Sequence, residues 1–376
     1  MNNINIGLYK NYKNVTLDMD KNSNQHISII GESGAGKSLM IQRVVSQLMN
    51  SQEINTIIVM DLHGVFSDDQ IDSTFLEPIK KNIHDIDVIS DGIQYDLFKP
   101  ITYPDGTLEN KDICIANILD IFTNVFHLQC RQQYQLRTAL EYVNDRDTFK
   151  TEGFKSIYDA LIITGNDAAL SVANKLHYMA KFNVFRDGSE LFKEGKLNVF
   201  RLSRLPMNSQ PELEEILLQL FWRLANTNAF KENPIYIVCD EVQALPQKKE
   251  SAVPILLSEG RKFGVNLILS TQVLLKDTSS ALFQRIGQVG TKMYFRQPSE
   301  RVPLIAKIID ASEPDTYIRL LKKLKVGEFI CDSNLLIDGK ASSKPVVIQN
   351  NLKEVFDNEP SVSSESNHRG QVHIPQ

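Results

Sequence analysis

Residues 31–38, Gly-Glu-Ser-Gly-Ala-Gly-Lys-Ser, satisfy every fixed position of the pattern G-x-x-x-x-G-K-[ST]. A stretch of this kind can hold a polyphosphate tail, whose concentrated negative charge has to be met by donors rather than buried unpaired. Gly31, Gly34 and Gly36 let the backbone curl so that successive N–H groups point inward, and a helix starting at the end of the loop adds its positive pole. The cradle is expected to comprise Gly31, Glu32, Ser33, Gly34, Ala35, Gly36, Lys37, Ser38 and Leu39. Lys37 would reach the β- and γ-phosphates. Ser38 would offer its hydroxyl to Mg²⁺, a hard cation that takes oxygen ligands.

A second chemical group closes the apolar run Ile235-Tyr-Ile-Val-Cys239, which ends in Asp240 and Glu241. Asp240 suits a metal ligand, directly or through water, and Glu241 a base that polarises a water for in-line attack on a γ-phosphate. Gln272 follows Leu269-Ser-Thr271 at the end of another apolar run. Its amide would contact the γ-phosphate or the attacking water, or serve as a plain strand-end amide. No Asn-Lys-x-Asp guanine-reading stretch occurs, so adenine is the expected base. The Leu-Ser-Gly-Gly-Gln signature of transporter ATPases is absent too.

These residues need elements to place them. His26-Ile-Ser-Ile-Ile30 is a short strand-like run, and Ile41, Val44, Val45 and Leu48 fall at helical spacing, so the loop joins a strand to a helix. Thr56-Ile-Ile-Val-Met60 reads as a buried parallel strand that delivers Asp61-Leu-His63-Gly64 at its carboxyl end. Further strands are predicted near 87–89 and over 196–202, 266–270, 292–295, 328–330 and 346–348, with one or two more in the first twenty-five residues. Leu213, Ile216, Leu217, Leu220 and Leu224 predict an amphipathic helix over 211–227, with Pro211 near its start. Between 110 and 190 the pattern is helical, through Ile115, Ile118, Leu119 and Phe122 and then Leu136, Leu140 and Val143. Strands alternating with helices predict an α/β fold with a mostly parallel, doubly wound sheet. The expected organisation is a core in two parts, 1–109 and 191–356, a helical insertion over 110–190, and a polar, disordered tail over 357–376.

The totals permit this. The chain has 376 residues, 42% hydrophobic and 23% charged, with a formal net charge of -5. Such mild acidity argues against a nucleic-acid coat protein while leaving room for a local basic channel. Cys114, Cys130, Cys239 and Cys331 show no metal or redox spacing and are expected to be buried free thiols of a cytoplasmic protein. No run approaches the length of a membrane helix and no signal peptide is evident, so membrane association would come through a partner.

Taken together, the motifs resemble the HerA/FtsK superfamily of RecA-like P-loop motor ATPases, especially its HerA-type and conjugative branches. The resemblance rests on 26–38, on Val59-Met-Asp-Leu-His-Gly64, on Ile237-Val-Cys-Asp-Glu241, on Glu259-Gly-Arg-Lys-Phe-Gly-Val-Asn266 with Ser270-Thr-Gln272, and on Leu324-Lys-Val-Gly-Glu-Phe329. It implies a RecA-like core and a ring, usually a hexamer, with ATP between subunits and hydrolysis moving DNA. It also implies family roles for Lys37, Ser38, Asp240, Glu241 and Gln272, and a nuclease or other effector protein as a further partner. An arginine from the neighbouring subunit usually completes such a site; Arg261 is the first candidate and Arg285 the second, each with a surface ion pair as its alternative. Val65 stands where family members carry glutamate, while Asp61 and His63 remain, and the family's N-terminal β-barrel has no counterpart before Gly31.

Lys248, Lys249 and Lys276 are possible DNA-facing residues, or simply parts of solvated turns. Two other readings of the chain stay open: an engine for protein cargo in a secretion or conjugation system, and a nucleotide-gated assembly factor of a defence complex.

Overall fold

A computed structural model describes residues 3–51, 55–67, 70–272 and 279–350. Lys276 and the tail 357–376 lie outside the described residues. The chain opens with the hairpin β1 (Asn3–Tyr9) and β2 (Lys13–Asp18), then β3 (Ile27–Ile30), α1 (Lys37–Met49) and β4 (Thr56–Asp61). There follow α2 (Ser73–Ile79), β5 (Ile83–Asp87) and β6 (Ile93–Gln94). Five helices come next: α3 (Lys111–Phe126), α4 (Cys130–Arg146), α5 (Phe149–Glu152), α6 (Lys155–Thr164) and α7 (Asp167–Lys181). The chain then runs through β7 (Phe185–Arg186), β8 (Leu197–Arg201), α8 (Ser209–Ala225), β9 (Ile235–Cys239), α9 (Ala252–Glu259) and β10 (Val265–Thr271). It ends with α10 (Ala281–Ile286), β11 (Thr291–Phe295), α11 (Val302–Ile309), α12 (Pro314–Leu321), β12 (Glu328–Asp332), β13 (Leu335–Ile337), β14 (Lys340–Ser342) and β15 (Val346–Gln349).

One sheet carries nearly all the strands, in the order β14-β13-β2-β1-β15-β12-β11-β3-β10-β9-β4-β8-β5. From β11 to β5 every pairing is parallel. From β11 outward through β12, β15, β1, β2, β13 and β14 every pairing is antiparallel. The parallel strands read as unbroken apolar runs because both of their faces are covered. Alternate residues of β4 show this: Ile58 and Met60 enter one core and Ile57 and Val59 the other. The first core packs under α3 to α9, and the second under α1, α2 and the β1–β2 hairpin.

Two expectations are corrected. The strand expected near 87–89 is β5, which ends at Asp87, because the Asp87 carboxylate accepts from the N–H groups of Ile89 and Ser90 at 3.0 and 3.2 Å and turns the chain there. Cys130 is exposed, whereas the other three thiols are buried, since it opens α4 on that helix's outer side.

The helices α3 to α7 lie between β6 and β7, which pair with each other in parallel at their base. A buried ion pair ties this region to the core: Arg223 of α8 donates to Glu109, with side-chain exposures of 7% and 0%. Glu109 also accepts from Asn117 of α3 at 2.8 Å. Removing one member of such a pair leaves an uncompensated buried charge. Arg223→Met is therefore expected to destabilise the protein by about 3–5 kcal/mol. The double replacement Arg223→Met with Glu109→Gln should recover most of the loss, both read from denaturant melts.

Candidate functional site

The loop from Gly31 to Ser38 leaves the carboxyl end of β3 and is held from both sides. Gly31 N–H donates to Thr271 O of β10 at 3.1 Å, and Glu32 N–H to Arg296 O, just beyond β11, at 2.9 Å. Gly36 is the N-cap of α1 with φ +108°, a left-handed conformation suited to glycine, and it has no side chain to cap the helix. The first-turn N–H groups of Lys37, Ser38 and Leu39 have no intrahelical partner, so an anion is the natural cap. Ser33, Gly34 and Ser38 are exposed, and Ala35 is buried.

Lys37 is buried, and its Nζ donates to Glu32 O at 3.1 Å. Burial lowers its pKa from the ordinary lysine value, and the negative charges of Glu241, Asp240 and Glu32 oppose that shift. Lys37 therefore lies within the field of the acidic pair. The topology explains why: β3, β10 and β9 are adjacent and parallel, with Thr271 opposite Ile30 and Leu269 opposite Cys239. The loop, Gln272 and Asp240-Glu241 consequently emerge at one carboxyl edge.

Glu241 takes a left-handed backbone, φ +56°, and opens the 3₁₀ turn Val242–Ala244. Its carboxylate accepts from the side-chain amides of Gln272 and Gln243. Asp240 is half-buried and accepts from Glu241 N–H at 3.0 Å.

Other expected residues fall elsewhere. Asp61 is buried at the end of β4, and its oxygens accept from Val65 and Phe66 N–H, closing the turn that carries exposed His63. Burial pushes its carboxyl up, against those hydrogen bonds and the Arg201 charge. Arg261 lies just before the amino end of β10, and its guanidinium donates to Ser23 O, which precedes β3. It is thus at the opposite end of these strands from Lys37 in the same chain. Arg285 on α10 is half-buried, with Nη1 unpartnered. Lys248 and Lys249 are exposed in the loop after the acidic pair.

Several contributors went unnoticed in the sequence. Gln243 follows the acidic pair by two positions. Arg296 pairs through Nε with Glu32 of the loop, and Gln297 Nε2 donates to Ile30 O at 2.8 Å. Both follow the apolar run of β11, the same sign that flagged Asp240 and Gln272. Gly327 N–H donates to Ala35 O at 3.0 Å, bringing the turn before β12 onto the loop.

The sequence matches the family described as "Helicase HerA, central domain" over residues 4–221. The chain belongs to this family. Among solved structures, VirB4 of Thermoanaerobacter pseudethanolicus superposes with a TM-score of 0.66 at 14% identity, covering 93% of this chain and 96% of that one. The bacterial conjugative coupling protein TrwB gives 0.58 at 12% identity, covering 93% and 89%. TrwB in complex with ADP and Mg²⁺ gives 0.56 at 13% identity, covering 89% and 87%. At these identities the likeness is one of fold: the HerA-family chain shares the α/β, P-loop ATPase architecture of VirB4 and TrwB. No curated protein matches the sequence. Among the described residues, no helix is long and apolar enough to cross a membrane.

Beneath this edge, α8 carries two buried carboxyls. Burial raises Glu214, which faces the Cys239 thiol, well above the ordinary range. Burial also pushes Glu215 from 4.5 up to about 7, although Gln219 and Ala252 N–H donate to it. A carboxyl raised in the folded state stabilises fully below its unfolded value, and that contribution is lost as pH rises through about 7. Glu215→Gln should flatten the decline in stability between those limits, as measured by melting temperature against pH.

A Cβ on Gly31 would sit 2.5 Å from Phe295 Cβ and 3.3 Å from its Cα. Gly31→Ala is expected to cost about 1–3 kcal/mol of stability, typical of overpacking, and to weaken binding of a fluorescent nucleotide at least tenfold.

Proposed function

We propose that this HerA-family chain is an ATP-driven motor that hydrolyses ATP between neighbouring subunits of a ring and moves DNA. The observation that carries the reading is the meeting of Lys37 with the Asp240-Glu241 pair at the carboxyl edge of adjacent parallel strands. A phosphate-holding cation and an acidic pair converge there on a loop whose helix lacks a side-chain cap.

Residues 31–39 hold the phosphates through backbone N–H groups, with Lys37 on the β- and γ-phosphates. Ser38 and Asp240 supply oxygen donors that would hold Mg²⁺, and the ion would offset negative charge on the phosphates. Glu241 takes the proton of the attacking water, and Gln272 orients that water or the γ-phosphate. Arg261 and Arg285 are the candidates for a cation supplied in trans. The position of Arg261, remote from Lys37 within one chain, supports a role across an interface. Lys248 and Lys249 project from the loop that follows Glu241 and are assigned to the DNA backbone, as a motor tracking phosphates requires.

Lys37→Ala is expected to abolish ATP turnover, and Glu241→Gln to reduce it at least a hundredfold while preserving nucleotide binding. Duplex DNA should stimulate wild-type turnover, with a stimulation that fades as salt rises. Wild-type turnover unaffected by DNA in every oligomeric state would remove the DNA-motor reading. Turnover retained in Lys37→Ala would displace the site itself.

A further inference from the structure

Both oxygens of the Glu241 carboxylate are engaged. Oε1 accepts from the Gln272 amide and Oε2 from the Gln243 amide. Gln243 is pinned in turn, because its Oε1 accepts from the Thr271 hydroxyl at 2.6 Å. With its oxygen turned to Thr271, the NH₂ group of Gln243 must face the carboxylate. Thr271 is the last residue of β10 and Gln272 the next, while Glu241 and Gln243 follow β9. The four side chains therefore tie together the ends of two neighbouring strands. Glu241 holds a left-handed backbone within that tie, a conformation a non-glycine residue keeps only when its surroundings over-determine it.

We propose that Gln243 is a positioning residue for ATP hydrolysis, relaying the fixed site of Thr271 to the Glu241 carboxylate and aiming it at the attacking water. The inference rests on the reading of Glu241 as the base. An ionised carboxylate offers about four acceptor positions, so two amide donors set its direction and still leave positions for water. Asp240 lies next along the chain, and a glutamine at 243 supplies one donor and one acceptor without adding a third negative charge. Its amide carries the donor and the acceptor on separate atoms of one planar group, and asparagine, which has the same group, is one methylene shorter.

The test is steady-state ATP hydrolysis by the full chain, together with fluorescent-nucleotide binding and melting temperature. Gln243→Ala is expected to lower kcat about tenfold or more with KM for ATP within about twofold. Gln243→Glu, which replaces the amide donor with an acceptor-only carboxylate, should lower kcat at least as far, again with KM for ATP within about twofold. Thr271→Val should reproduce part of the kcat loss, and it carries the test if the Gln243 variants do not fold. An unchanged kcat in these variants overturns the proposal. A kcat loss matched by equal losses of nucleotide binding and melting temperature overturns it as well, since that is the mark of a purely structural residue. Glu241→Gln separates the two levels. If it turns over ATP normally, the base assignment and the relay fall together; if it is inactive while Gln243→Ala is normal, only the relay falls.

Discussion

A loop that wraps its backbone around an anion must keep one face bare, and that requirement organises this protein. Gly31 has Phe295 where a side chain would stand, and Gly36 turns through a left-handed conformation to start α1. The bareness is filled from outside. Phe295 stacks on Phe329 with centroids 4.9 Å apart and lies against both Gly31 and Gly36 of the loop. The parallel block delivers the polar groups, and the antiparallel block supplies the brace.

Burial of charge follows from the same geometry. Closing the loop against β10 and β11 leaves Lys37 with little access to water, so its ammonium depends on the carboxylates across the strand ends. Deeper down, burial shifts Glu214 and Glu215 toward the neutral form.

Much of this was legible in the sequence. The loop, its flanking strand and helix, and Asp240-Glu241 announce themselves because fixed residue types recur at the ends of unbroken apolar runs. The parallel block was legible for the same reason. The antiparallel block was harder: 328–330 and 346–348 read as strands, but nothing local says that they run antiparallel, since pairing direction depends on distant partners. The end of β5 was misjudged because Val88 and Ile89 look strand-like, while the turn is made by the side chain of Asp87. Gln243 escaped notice because its significance lies in its nearness to Thr271, twenty-eight positions away. Periodicity records which face a residue takes and is silent about which strand end it will meet.

The hydrogen bond from Gly327 to Ala35 joins points roughly three hundred residues apart, and β15 closes on β1 across a similar span. At a ribosomal pace on the order of 10 residues per second, about half a minute separates the emergence of the loop from that of its brace. For most of that interval the nascent chain exposes a glycine-rich loop and a central strand, β3, whose neighbours β10 and β11 have yet to emerge. A polypeptide released early would lack the clamp altogether, so the fold itself withholds a finished nucleotide pocket from unfinished chains.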